Sequence, residues 1–284
     1  MNVVAEDFDL TVRSHCLHAQ RFGSPSAPLI IGVHGLTANM KSFDFIGEQL
    51  ANDAFQLVAL DLRGRGQSET TPPGTYGWEK HALDVFAVAD VLGVGRFSVI
   101  GQSMGGSIAM KAAELDAARL DAVVLVDVAG RVDPGVRPVI ASVIDRVETV
   151  YSTVEAYLAA VKAQGLVGPW NEYWDRFHRY KVEDVDGGVR SCTSLEAVAE
   201  DRAYTATQHP YDRWQHLTMP TLLVRATREL APGADHVVPA DDRGLFRHKV
   251  NGSVVVEIDA NHLTINTHPD TAAAIGRFLA DVVA

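Results

Sequence analysis

Residues 99–107 read VIGQSMGGS: two β-branched residues, then Ser103 with Gly101 two positions before it and Gly105 two positions after. The stretch ends an apolar run and is followed by IAMKAAEL, a helix-forming segment, so it predicts a serine at a strand-to-helix bend. Glycines at such a bend let neighbouring backbone approach closely while the serine hydroxyl is left exposed. A glycine-rich turn would read the same in isolation, because 23 glycines make a chance G-x-S-x-G easy to find. The rest of the chain has to decide.

Outward from that stretch, short Val/Ile/Leu runs recur: PLIIGVHG, QLVALD, FSVIGQS, DAVVLVD, TLLVRA and SVVVEI. They are too apolar to alternate, which suits parallel strands covered on both faces, and the segments between them carry helical periodicity. Phe43, Ile46 and Leu50 share one helical face, as do Ile275, Phe278, Leu279 and Val282, with Pro269 in a first helical turn. FDLTVRSHCLHAQRFG has no helical period and predicts one or two antiparallel strands at a sheet edge. The expected fold class is α/β, with a mostly parallel, doubly wound sheet.

Between residues 131 and 215 the strand rhythm stops. YSTVEAYLAAVKAQGLVGPWNEYWDRFHRY is helical, charged and aromatic, and strands resume at TLLVRA. The expectation is a core of residues 1–130 and 216–284 with a helical cap, 131–215, inserted over the strand ends.

Composition limits the partners. Of 284 residues, 47% are hydrophobic and 21% charged, as in a soluble globular protein. A net charge of −11 argues against nucleic acid or an anionic membrane. Cys16 and Cys192 have no metal-type spacing, and nothing calls for a metal or an organic cofactor. The opening MNVVAEDFDL lacks a basic leader, and no stretch has the length of a membrane span, so a cytoplasmic protein acting on a small molecule, as monomer or homodimer, is expected.

Nucleophilic chemistry at Ser103 needs a base and donors for an oxyanion. His262, in VVVEIDANHLT just past the last apolar strand, could reach back to it. In VHGLTANM a strand ends at His34–Gly35, and the following loop could set the Leu36 N–H beside that of Met104. The ordered set HGLT, DLRGRGQS, GQSMGG and NHLT, with a helical insertion, resembles the α/β-hydrolase superfamily over essentially the whole chain. The resemblance implies Ser103 as nucleophile, His262 as base, and Leu36 and Met104 as oxyanion-hole donors. It also implies a structural role for Asp61, Arg63 and Gly64, and leaves Gln102 as a departure from the histidine often found beside the nucleophile.

The acid is open between three residues. The family's usual acid follows TLLVRA, where ATRELAPGADHVVP offers Glu229 at the nominal spacing and Asp235 further out. Some members carry the acid at the end of the preceding strand, and Asp127 ends DAVVLVD. Its place beside the nucleophile strand favours Asp127. A serine nucleophile implies acyl transfer to water, with a carboxylic ester or lactone of a medium-sized, partly apolar molecule as the expected substrate. Alternatives are an amide, a carbon–carbon bond in an aromatic-degradation product, or ligand binding without turnover. His34, Gly35, Arg131, Trp170, Tyr173, Trp174 and Arg190 are the expected pocket residues, the arginines as holders of a substrate carboxylate.

Overall fold

The computed structural model describes residues 5–50, 54–209 and 211–283; residues 1–4, on which part of the leader reading falls, lie outside them. β1 (Glu6–Val12) and β2 (His15–Phe22) pair as an antiparallel hairpin. β3 (Leu29–Val33), α1 (Asp44–Leu50), β4 (Gln56–Leu60), α2 (Trp78–Val91), β5 (Phe97–Gln102), α3 (Met104–Asp116) and β6 (Leu120–Val126) follow. An insertion then carries α4 (Arg137–Asp145), α5 (Val154–Ala163), α6 (Glu172–Tyr180), β7 (Val182–Val185), β8 (Gly188–Ser191) and α7 (Leu195–Ala206). The chain returns through β9 (Thr221–Ala226), α8 (Ala240–Lys249), β10 (Val254–Ile258) and α9 (Pro269–Val283).

The described residues form an eight-stranded sheet in the order β1-β2-β4-β3-β5-β6-β9-β10, antiparallel at β1-β2-β4 and parallel from β4 onward. Every residue of β3, β4, β5 and β9 is buried, as continuous apolar runs require when helices cover both faces. Alternate residues sort to opposite faces. Ile31, Val99 and Val123 pack with Val85 of α2 and Ile108 of α3, whereas Ile30, Ile100 and Val124 pack with Ile46 of α1 and Ile275 and Leu279 of α9. Parallel strands all end their C-termini on one edge, so β3, β5, β6 and β10 deliver their following loops to the same place.

The insertion leaves from β6 beside that edge and is tied to the core at several points. Ser194 N donates to Gly64 O at 2.8 Å, Tyr180 OH to Asp61 Oδ2 at 2.5 Å, Asn261 Nδ2 to Leu166 O at 2.8 Å and Trp214 Nε1 to Ala129 O at 2.6 Å. Asp61 also accepts from Met40 N at 2.7 Å and Gln67 N at 2.9 Å, so one buried carboxylate joins three segments. The insertion is not purely helical. KVEDVDGGVRS folds into the β7–β8 hairpin, whose turn uses Gly187 and Gly188 at φ 86° and 143°, and Tyr151 bridges to Val189 at its side. No helix of the described residues is long and apolar enough to cross a membrane.

Candidate active site

β5 stops at Gln102 and α3 starts at Met104, leaving Ser103 between them at φ 54° and ψ −123°. A side chain other than glycine holds that backbone at a cost of about 1–3 kcal/mol, so neighbouring bonds must enforce it. Ser103 N donates to Val126 O at 3.1 Å, and Ser103 O accepts from Gly106 N at 2.9 Å. The hydroxyl makes no helix-capping bond, and the residue stays partly exposed.

The flanking glycines are explained by crowding. A Cβ on Gly105 would stand 1.8 Å from Val33 O, one on Gly101 2.3 Å from Gly105 O, and one on Gly106 2.2 Å from Val128 Cγ1. Gly35 brings the loop after β3 against the bend, because a Cβ there would stand 3.2 Å from Ser103 Cβ and 2.7 Å from Gln102 Oε1.

Asp127, one residue beyond β6, also has a positive φ, 49°. Its N–H donates to Val224 O at 2.7 Å, and its Oδ1 accepts from Ala226 N at 2.9 Å. That leaves Oδ2 for His262, whose Nδ1 lies 2.8 Å away. With the carboxylate beside it, Nδ1 carries the proton and Nε2 is an acceptor. The His262 loop is wound by Asn261, whose Oδ1 accepts from Leu263 N, Thr264 N and Thr264 Oγ at 3.0, 2.9 and 3.0 Å. Nε2 faces the Gln102 side-chain amide at 3.3 Å. Gln102 is therefore a neighbour of His262, a contact its place in the sequence did not announce.

The other two acid candidates are engaged elsewhere. Glu229 Oε2 accepts from Gly233 N at 2.9 Å within its own exposed loop. Asp235 is exposed and shares a hydrogen bond with Asp133, which raises its pKa. The structure brings Asp127, and neither of these two, to His262.

The Leu36 peptide is held from both sides. Gly35 O accepts from Ala38 N at 3.2 Å and from His34 Nδ1 at 2.7 Å, and Leu36 O accepts from Arg65 Nε at 3.1 Å. In a trans peptide the N–H points opposite the C=O, so fixing Gly35 O fixes the direction of the Leu36 N–H. The Met104 N–H belongs to the first turn of α3, where backbone donors have no intrahelical acceptor.

His34 is corrected from pocket residue to scaffold. It is wholly buried, Nδ1 serves Gly35 O, and Nε2 accepts from Leu62 N at 3.1 Å. Burial pushes its pKa down to about 3. Most of the other expected pocket residues are also engaged elsewhere. Tyr173 OH donates to Glu48 Oε2 at 2.7 Å, and Trp170 stacks on His178 at 5.4 Å between ring centres. Arg190 pairs with exposed Glu183 at 3.3 Å, and exposed Arg131 is held by its backbone, which donates to Asp242. Long charged side chains on short exposed segments reach solvent, which residue type cannot reveal.

A cavity of about 90 Å³ lies beside Gln102 and Leu263, the neighbours in sequence of Ser103 and His262. The core contributes Thr37, Ala38, Ser42 and Asn266; the insertion contributes Arg146, Leu166, Trp174, Phe177, His178 and Lys181, among others. Of the expected residues Trp174 lines it. A larger groove of about 320 Å³, between α1 and α9, contains none of the site residues.

The alpha/beta hydrolase fold family matches residues 28–269, most of the chain and every residue of this constellation. The chain belongs to that family. N-formylmaleamate deformylase of Pseudomonas putida is 37% identical to this alpha/beta hydrolase over 116 residues, 41% of either chain. The esterase YbfF of Escherichia coli is 29% identical over 120 residues, 42% of this chain and 44% of its own length. The matches thus span less than half of each of these relatives. Among solved structures, E-2-(acetamidomethylene)succinate hydrolase superposes over 98% of this chain and 100% of its own, with a TM-score of 0.85 and 21% identity, a likeness of fold.

Proposed function

We propose that the protein is a serine hydrolase that cleaves a small carboxylic ester or lactone through an acyl-enzyme. Ser103 Oγ attacks the acyl carbon and its proton passes to His262 Nε2. Asp127 holds the imidazole in the Nδ1–H tautomer and stabilises the imidazolium. The Leu36 and Met104 N–H groups receive the oxyanion. His262 then returns the proton to the leaving group, and water repeats the sequence to release the acid. The insertion serves as the cap over the acyl site. The single observation that carries this reading is the 2.8 Å contact between His262 Nδ1 and a buried Asp127, set beside a strained, uncapped Ser103.

For Nε2 to take the serine proton, the Gln102 amide must give up its place there, so ring and amide rearrange when substrate enters. An amide substrate is the second reading, favoured by the similarity to a relative named as a deformylase. A cavity of about 90 Å³ holds roughly three waters' volume and suits a short acyl group, smaller than the medium-sized substrate expected from sequence.

Hydrolysis of p-nitrophenyl acetate and butyrate by wild type and Ser103→Ala tests the proposal. Turnover should fall at least about 10³-fold in the variant. Equal rates in both proteins would remove Ser103 from the chemistry.

A further inference from the structure

Two cations meet at the cavity without a counter-charge. Lys181 follows α6 and is only 8% exposed, yet among the described residues its ammonium forms no salt bridge; the Phe177 ring lies near it, 5.7 Å from Nζ to the ring centre. Arg146, just past α4, is half-buried, and its Nη1 is sealed from solvent without a hydrogen-bond partner in the protein. Trp174 Nε1 is a third buried donor with no partner, and all three residues line the same cavity.

This is unusual chemistry for a chain with a net charge of −11. Elsewhere its buried cations are paired, as Arg65 is with Asp201 at 2.6 Å and Arg63 with Asp84 at 2.5 Å. Among the described residues that line the cavity there is no Asp or Glu. Burying a charge is costly unless a partner offsets it, so a site that retains two cations and an unpaired indole N–H is built for an anion that arrives with the ligand. Burial and the proximity of Arg146 already press the Lys181 pKa down to about 8, and burial lowers that of Arg146.

We propose that the substrate carries a carboxylate besides the acyl group that is cleaved, and that Lys181 and Arg146, with Trp174 Nε1, bind that carboxylate in the cavity beside Ser103. The proposal rests on Ser103 being the nucleophile, and it names the substrate class as a small half-ester or half-amide of a dicarboxylic acid. The cavity's volume, about 90 Å³, fits a chain of a few carbons ending in that group. The planar guanidinium and the compact ammonium divide the task, one able to grip both oxygens and the other acting as a point charge.

The test uses monophenyl malonate, succinate and glutarate against phenyl propionate, butyrate and pentanoate, with uncatalysed rates subtracted. In wild type, kcat/KM for at least one half-ester should exceed that of its neutral counterpart by about tenfold or more, the size expected of a charged hydrogen bond. Lys181→Met and Arg146→Met should each bring that ratio toward unity, with thermal unfolding confirming that both variants fold. A wild-type ratio at or below one for all three pairs, or a ratio that neither substitution changes, would overturn the proposal.

Calorimetric titration of succinate and glutarate into Ser103→Ala separates the two ideas. Binding there that is lost on adding Lys181→Met supports the carboxylate site even if no ester is turned over, in which case the catalytic reading alone has failed. Hydrolysis of neutral esters with no dicarboxylate binding would sink the carboxylate site and keep the serine.

Discussion

Asp201 and Asp127 are buried aspartates that each hold a histidine, and their surroundings differ. Asp201, on α7, has both carboxylate oxygens 3.1 Å from His81 Nε2; it also takes Arg65 Nη2 at 2.6 Å and Gly77 N at 2.7 Å. Both side chains of that histidine pair are 0% exposed. Asp127 takes His262 Nδ1 at 2.8 Å and Ala226 N at 2.9 Å, but its histidine keeps 12% exposure and turns its other nitrogen toward Gln102, beside Ser103. In the first cluster a guanidinium balances the carboxylate and the whole is closed, so it anchors the insertion to the core. In the second the imidazole is half free, which is the condition for moving a proton. On the function proposed above, the same pair of residue types is a fastening or a relay according to what the histidine's far nitrogen can reach.

The largest effect should come from Asp127→Asn. It preserves the acceptor for Ala226 N but removes the charge behind His262, so kcat on a phenyl or p-nitrophenyl ester should fall about 10³- to 10⁴-fold. The melting temperature should move by no more than about 3 °C. Near-normal turnover would make Asp127 a second fastening.

Asp201→Asn should do the reverse. It leaves Arg65 buried without its counter-charge, costing about 3–5 kcal/mol of stability and lowering the melting temperature by roughly 10 °C. Burial pushes the Asp201 carboxyl up, but His81 and Arg65 outweigh it and hold the pKa at about 2, below the ordinary 3.8. The unfolded chain therefore binds the proton first on acidification. The stabilisation this pair supplies is complete above the ordinary value and is lost as the pH falls through about 2, so wild type should lose stability more steeply than the variant across that window, read by denaturant titration.

Lys181→Met carries the smallest effect and the opposite sign. Here a buried charge has no protein partner, so its removal should raise stability at pH 7 by on the order of 1–3 kcal/mol. The folded state releases the Lys181 proton near pH 8 and the unfolded state near 10.5. Between those values the unfolded chain binds more protons, wild-type stability gains with pH, and the variant's advantage should shrink. An advantage that is flat from pH 7 to 10 would mean that Lys181 is not desolvated in solution.

Much of the fold was legible because continuous apolar runs admit few structures other than buried parallel strands, and G-x-S-x-G between such a run and a helix has one familiar geometry. Asp127 and His262 could be picked by position, since each follows a strand that ends at the same sheet edge. The insertion was harder. Its β7–β8 hairpin is short, exposed and charged, and only the DGG turn could have signalled it. Arg131 and Arg190 look no different in sequence from Arg146 and Lys181. What separates them is burial, a product of packing across segments far apart in the chain. His34 similarly reads as a strand-end residue near the site, and only the bonds to Gly35 O and Leu62 N show that it steers a peptide.

The central claim is that Ser103 is the nucleophile of a relay through His262 and Asp127. The most direct measurement is reaction of wild type with a fluorophosphonate, followed by peptide mass spectrometry and ester assay on the same sample. One adduct per chain, on the peptide containing Ser103, with activity lost in proportion and labelling slowed by Asp127→Asn, is the predicted result. An enzyme that hydrolyses esters while the adduct forms elsewhere, or does not form, would contradict it.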